Sequence, residues 1–108
     1  MANLRQEKVA EQLRQYTALF LEKESNRTSL ITVTNCSISP DLKRATIYIT
    51  VLPEDKELNA LEFAKRKRTD LRNFVKKNIK LKRIPFFEIE IDKGEKNRQK
   101  IDELLNNS

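Results

Sequence analysis

With 108 residues, no histidine, one cysteine and one glycine, the chain lacks the usual general base, the set of about four Cys/His ligands that a zinc site wants, and any glycine-rich phosphate loop. Its 38% hydrophobic and 35% charged residues describe one modest core under a charged shell, a core that at this length hides roughly 65% of the unfolded surface. The net charge of +6 points toward polyanions, no apolar run approaches the roughly 20 residues of a membrane span, and the N-terminal stretch lacks the apolar core of a secretory signal, so a soluble cytoplasmic protein is expected.

The first expected element is a helix over residues 4–23. Asn3 can cap it with Gln6 as capping-box partner. Val9, Leu13, Tyr16 and Phe20 recur at helical spacing, and Leu4, Thr17 and Leu21 widen the stripe. Ser25-Asn26-Arg27-Thr28 reads as a loop. Residues 30–37 are rich in β-branched side chains (Ile31, Thr32, Val33, Thr34) and predict a strand. In Ser39-Pro40-Asp41 the proline presets the second position of a tight turn, and the flanking Ser and Asp bond back to the backbone. Residues 45–52 predict a second strand, with Ile47, Ile49 and Val51 on one face and Thr46, Tyr48 and Thr50 on the other. The two strands make an antiparallel hairpin.

Pro53 ends that strand, and Glu54-Asp55-Lys56-Glu57 leads into a helix striped by Leu58, Leu61 and Ala64. A second helical stretch carries Leu71, Phe74, Val75 and Ile79, with Thr69 as its N-cap, so a kink is expected near Thr69. Pro85 opens the next element. Residues 86–92 alternate, with Phe87, Ile89 and Ile91 inward and Glu88 and Glu90 outward. Gly94 marks a turn, and Ile101, Leu104 and Leu105 seat a short last helix against the core. The lone Cys36 reads as a small buried apolar residue in a strand, in keeping with a reducing compartment.

The charge is unevenly spread. Residues 65–83 hold ten basic side chains, Lys65, Arg66, Lys67, Arg68, Arg72, Lys76, Lys77, Lys80, Lys82 and Arg83, against Asp70 alone. That segment carries +9 and leaves −3 for the rest. A solvated helix face tends to mix signs in i,i+4 pairs, whereas a one-sign stripe is the footprint of a polyanion site. Lys43 and Arg44, beside the hairpin turn, are second-tier candidates. An anionic membrane surface is the rival, but the apolar face is modest, lacks Trp and is needed for the core. Most of the seven aromatics fall at core-facing positions, with Tyr48 the best candidate platform, so recognition by RNA shape and phosphate geometry suits the composition. Glu88, Glu90 and Asp92 read as a solvent face rather than paired catalytic acids, and no Ser or Thr has a histidine to activate it. No active site, cofactor site or metal site is expected.

Four stretches then resemble the ribosome-binding factor A family. Ser39-Pro40-Asp41-Leu42-Lys43-Arg44-Ala45-Thr46-Ile47-Tyr48-Ile49-Thr50-Val51-Leu52 is similar to the family's turn-and-strand signature. Leu81-Lys82-Arg83-Ile84-Pro85-Phe86-Phe87-Glu88-Ile89-Glu90-Ile91-Asp92 is similar to its entry into the last strand. Arg5 with Lys8-Val9-Ala10-Glu11-Gln12-Leu13-Arg14, and Ile101-Asp102-Glu103-Leu104-Leu105, match near the two ends. Where the family has Ala-x-Gly at the helix kink, this chain has Lys67-Arg68-Thr69. Threonine does not easily take the positive φ open to glycine, so either Thr69 caps a differently made kink or the helix is straighter.

The expectation is therefore one α+β domain over all 108 residues: a three-stranded sheet with helices on one face and a kinked central helix pair. The resemblance implies a KH-like domain of the second type. It also implies a non-catalytic assembly factor without cofactor that binds the immature small ribosomal subunit and its rRNA, assists late maturation and rRNA 5′-end processing, and supports growth in the cold. A monomer with no small-molecule substrate is expected. The alternatives are a general KH-like RNA-binding module outside the ribosome and a basic protein-interaction adaptor.

Overall fold

The computed structural model describes residues 4–24 and 28–106, so Asn3 and most of the predicted loop after the first helix lie outside the described residues. The order is α1 (Leu4–Glu24), β1 (Leu30–Ile38), β2 (Arg44–Leu52), a 3-10 turn over Glu54–Lys56, α2 (Glu57–Arg66), α3 (Arg68–Asn78), β3 (Phe86–Ile91) and α4 (Lys93–Asn106). The sheet runs β1-β2-β3, with β1 antiparallel and β3 parallel to β2. This is the expected α+β, KH-like arrangement. The parallel pairing follows from the α2–α3 crossover, since parallel neighbours need a connection long enough to carry a helix.

The alternating apolar residues of the strands do what their period predicts. Ala45, Ile47, Ile49 and Val51 of β2 and Phe87 and Ile89 of β3 are buried. In β1 the parity breaks: Val33 pairs with Ile49 but Asn35 pairs with Tyr48, leaving Thr34 as an extra residue. A bulge of this kind shifts which residues face inward, so both Val33 and Cys36 reach the core. Cys36 is buried as expected, and loss of water around the thiol pushes its pKa up to about 12.

Against that face α1 lays Val9, Leu13, Thr17, Phe20 and Leu21, all buried. Leu4, expected on the same stripe, is exposed because it opens the helix beyond the sheet. In α2 the buried residues are Ala60 and Ala64, while Leu58 is exposed and Leu61 half-buried. Small residues at i and i+4 let that helix approach the strands closely, so the stripe is centred one step from the predicted one. From α3 come Leu71 and Val75, and Phe74 packs edge-on to Tyr16 and tilted against Phe20.

Two expectations near the C-terminus are corrected. Gly94 is not a turn residue but lies in the first turn of α4. The Asp92 carboxylate accepts the Glu95 N–H at 3.0 Å and the Thr34 hydroxyl at 2.5 Å, serving as the cap that starts the helix. These bonds hold its carboxyl below the usual range, with the Glu95 amide the larger cause. Asp92 is thus a capping residue past the end of β3, not part of the strand's solvent face. Second, α4 has no buried residue, and Ile101, Leu104 and Leu105 are 57%, 73% and 68% exposed. Its first turns are anchored by Lys96 to Glu54 and Glu57, each at 3.0 Å, and by Lys100 to Glu54 at 3.2 Å. That anchoring ties α4 to the entry of α2 and leaves its apolar end off the core.

Candidate nucleic-acid interface

The site begins with the hairpin turn. The Leu42 N–H donates to the Ser39 carbonyl at 2.9 Å, which makes Ser39-Pro40-Asp41-Leu42 a tight turn with Pro40 at its second position, as expected. The Ser39 hydroxyl and the Lys43 N–H both donate to the Asp41 carboxylate, at 2.6 and 3.0 Å. Those bonds, the Ser39 hydroxyl first, hold the Asp41 carboxyl below the usual range. Leu42 has φ 61°, the only positive φ among the described residues. The Lys43 carbonyl then accepts the Phe86 N–H at 2.8 Å, where β3 begins its parallel pairing of Phe86 with Arg44. One hydrogen bond therefore sets the Lys43 side chain beside the start of β3. Pro85 and Phe87 are buried on either side of Phe86, which fixes the backbone there.

The helix break supplies the opposite wall. Thr69 is not its cap: α3 starts at Arg68, and Lys67 occupies the junction with φ −90° and ψ 6°. Lys67 N–H donates to the Phe63 and Ala64 carbonyls at 3.2 Å each, and its own carbonyl accepts the Leu71 N–H at 2.8 Å. One residue in the bridge region closes the first helix and opens the second. No left-handed residue is needed, so threonine at the family's glycine position costs the kink nothing. Thr69 sits exposed in the first turn of α3.

Between these walls lies a groove of about 650 Å³ lined by Lys43, Arg68, Thr69, Arg72, Arg83 and the segment from Ile84 to Phe87. Arg68 and Arg72 reach it together because residues four apart share a helix face. The Arg68 guanidinium lies 5.2 Å from the centre of the Phe86 ring, within cation–π range, and its Nε–H donates to the Lys65 carbonyl at 3.2 Å. Among the described residues the groove lining holds no acidic side chain.

The twelve basic candidates thus separate. Lys43, Arg68, Arg72 and Arg83 converge on the groove. Lys67 lies over the Phe63 ring at 5.9 Å and between Glu24 at 3.8 Å and Asp70 at 4.0 Å, so part of its charge is answered within the protein. Arg44 faces Glu88 at 3.6 Å. Lys65 lines a recess at the far end of β3, and Arg66 lines another beside Ser29 and Ile31. Lys76, Lys77, Lys80 and Lys82 are exposed at the end of α3 and in the connection to β3, outside the groove lining. Tyr48 is half-buried in β2. Sequence reading missed Phe86, which is 53% exposed. The signal was there: if Phe87, Ile89 and Ile91 point inward, Phe86 shares the outward parity of Glu88 and Glu90. Among the described residues no cluster of three or more His, Cys, Asp or Glu side chains is placed to hold a metal, and no helix is long and apolar enough to cross a membrane.

Comparison with known proteins agrees with this architecture. A protein from Magnetococcus marinus named ribosome-binding factor A is 30% identical over 95% of this chain and 87% of its own length. One of the same name from Chromohalobacter salexigens is 32% identical over 94% of this chain and 81% of its own. The crystal structure of ribosome-binding factor A from Thermus thermophilus superposes with a TM-score of 0.73 at 21% identity, covering 80% of this chain and 94% of that one. A Thermotoga maritima solution structure, described as a putative ribosome binding factor A, gives 0.71 at 22% identity over 87% and 92%. Coordinates of the Thermus thermophilus factor fitted into a cryo-EM map of its complex with 30S give 0.67 at 21% identity over 75% and 88%. The family model for ribosome-binding factor A matches residues 5–105, nearly the whole length, and the chain belongs to that family.

Proposed function

We propose that this chain is a ribosome assembly factor that binds the immature small ribosomal subunit and its rRNA. It assists late maturation and processing of the rRNA 5′ end without catalysis, as a cytoplasmic monomer needed most in the cold. The observation that carries the reading is the groove of Lys43, Arg68, Arg72 and Arg83, a concave cationic site with no acid among the described residues of its lining. Such a site attracts phosphates and gains from counterion release. Family membership supplies the choice of ribosome over other RNA, and the fitted 30S complex of the Thermus thermophilus factor is in keeping with it. The mechanism needs no bond made or broken. A protein that binds one RNA conformation better than another shifts the population toward it, by as much as its affinities differ.

Co-sedimentation tests the reading. The protein is expected to travel with small subunits from maturing cells and not with mature full ribosomes. Reversing the groove charges, as Lys43→Glu with Arg72→Glu and Arg83→Glu, is expected to abolish that association. Binding to any RNA alike would make the chain a general KH-like module. Association that survives charge reversal and ignores naked rRNA would make it a protein adaptor.

A further inference from the structure

We infer that Phe86 is a stacking platform for an unpaired base, flanked by Lys43, Arg68, Arg72 and Arg83 as phosphate contacts; this rests on the RNA reading above and specifies its ligand as single-stranded rather than duplex RNA. Of the seven aromatic side chains, Phe86 alone is exposed; Phe20 and Phe87 are buried and Tyr16, Tyr48, Phe63 and Phe74 half-buried. The ring is held in place rather than left loose. Its backbone N–H is bonded to the Lys43 carbonyl, the residues before and after it are in the core, and Arg68 rests against it while tethered to the end of α2.

The surroundings select the occupant. An apolar protein segment laid on Phe86 would have to strip water from four cations, at a cost no apolar contact returns. A nucleotide answers both features at once, with a π face for the ring and phosphates for the cations. Duplex RNA keeps its bases stacked internally and cannot offer that face, whereas loops, bulges and single strands can. Shape recognition alone, the mode suggested by composition, leaves the exposed ring without a role.

The test compares Phe86→Leu and Phe86→Trp with the unmodified chain. Binding is followed by fluorescence anisotropy to a single-stranded RNA of about eight nucleotides, within the range one such groove covers, and to a hairpin duplex. Circular dichroism verifies folding, which an exposed side chain does not control. Phe86→Leu is expected to weaken single-strand binding about tenfold or more, to leave duplex binding and the salt dependence unchanged, and to lose the fluorescence change of 2-aminopurine placed in the strand. Phe86→Trp is expected to keep or tighten binding. If Phe86→Leu binds the single strand as tightly as the unmodified chain, or loses single strand and duplex equally, the platform is wrong and the RNA reading stands. If the unmodified chain binds neither RNA at about 50 mM salt, where phosphate contacts are strong, both fail together.

Discussion

Four cations line the groove, and that number fixes how RNA binding should respond to salt. Each phosphate neutralised on a single strand contributes about −0.7 to the slope of log K against log salt. Four contacts give a slope of about −2.8, so affinity falls roughly 50-fold between about 50 and 200 mM salt. Replacing Lys43, Arg72 and Arg83 by Ala while keeping Arg68, which also holds Phe86, leaves one contact. The slope should drop to about −0.7 and the loss over the same range to roughly threefold. These side chains are exposed, so the variant should keep its fold. Lys76→Ala with Lys77→Ala and Lys80→Ala serves as the control, because it removes the same three charges from outside the groove. Anisotropy titrations of one fluorescent single strand across a potassium chloride series read all three slopes. A slope near −2.8 in the triple variant, or a drop as large in the control, would refute the idea that these four residues are the phosphate contacts.

Stability should separate the buried apolar residues from the exposed ones that sequence periodicity groups with them. Leu13→Ala or Leu71→Ala should cost about 2–5 kcal/mol, whereas Leu104→Ser should change stability by less than about 0.5 kcal/mol. Urea midpoints at constant m-value measure both, and a large loss on Leu104→Ser would mean α4 packs on the core after all. Asp92→Ala should remove the α4 cap and cost about 1 kcal/mol, seen as a lower melting temperature with reduced helix signal. The Asp92 carboxyl is held below its unfolded value, so its contribution is fully present above that value. It should be lost as pH falls through the lower folded pKa, and a melting temperature difference that persists undiminished at the acid end contradicts the assignment.

Most of the fold was legible because two periods carry it. The alternation of Ala45, Ile47, Ile49 and Val51 and the helical recurrence of Val9, Leu13 and Phe20 each bury the face they predict. What was not legible shares a cause: a period says which residues lie together, not what lies opposite. Ile101, Leu104 and Leu105 do share one side of a helix, but that helix is linked through Lys96 and Lys100 to Glu54 and Glu57 and its apolar side lies exposed. The bulge at Thr34 depends on its partner strand, which local propensity cannot see. The helix break was expected at Thr69 from its capping chemistry, yet the chain makes it with backbone bonds at Lys67. The basic run was visible as charge, but only folding sorts it. Arg68, Arg72 and Arg83 gather in one groove with the distant Lys43, while Lys67 and Arg44 find acidic neighbours.

The hydrogen bond from Phe86 to Lys43 joins residues separated by the whole of β2, α2 and α3. Contacts of such sequence separation are entropically late to close, so a chain with its hairpin and helices formed, but β3 not yet inserted, has no groove at all. Ligand recognition is thereby confined to the completely folded molecule. By mass action, any RNA that occupies the groove stabilises the native state by an amount that grows with the logarithm of its concentration above the dissociation constant. An RNA so bound would help hold shut the same long-range closure that creates the groove.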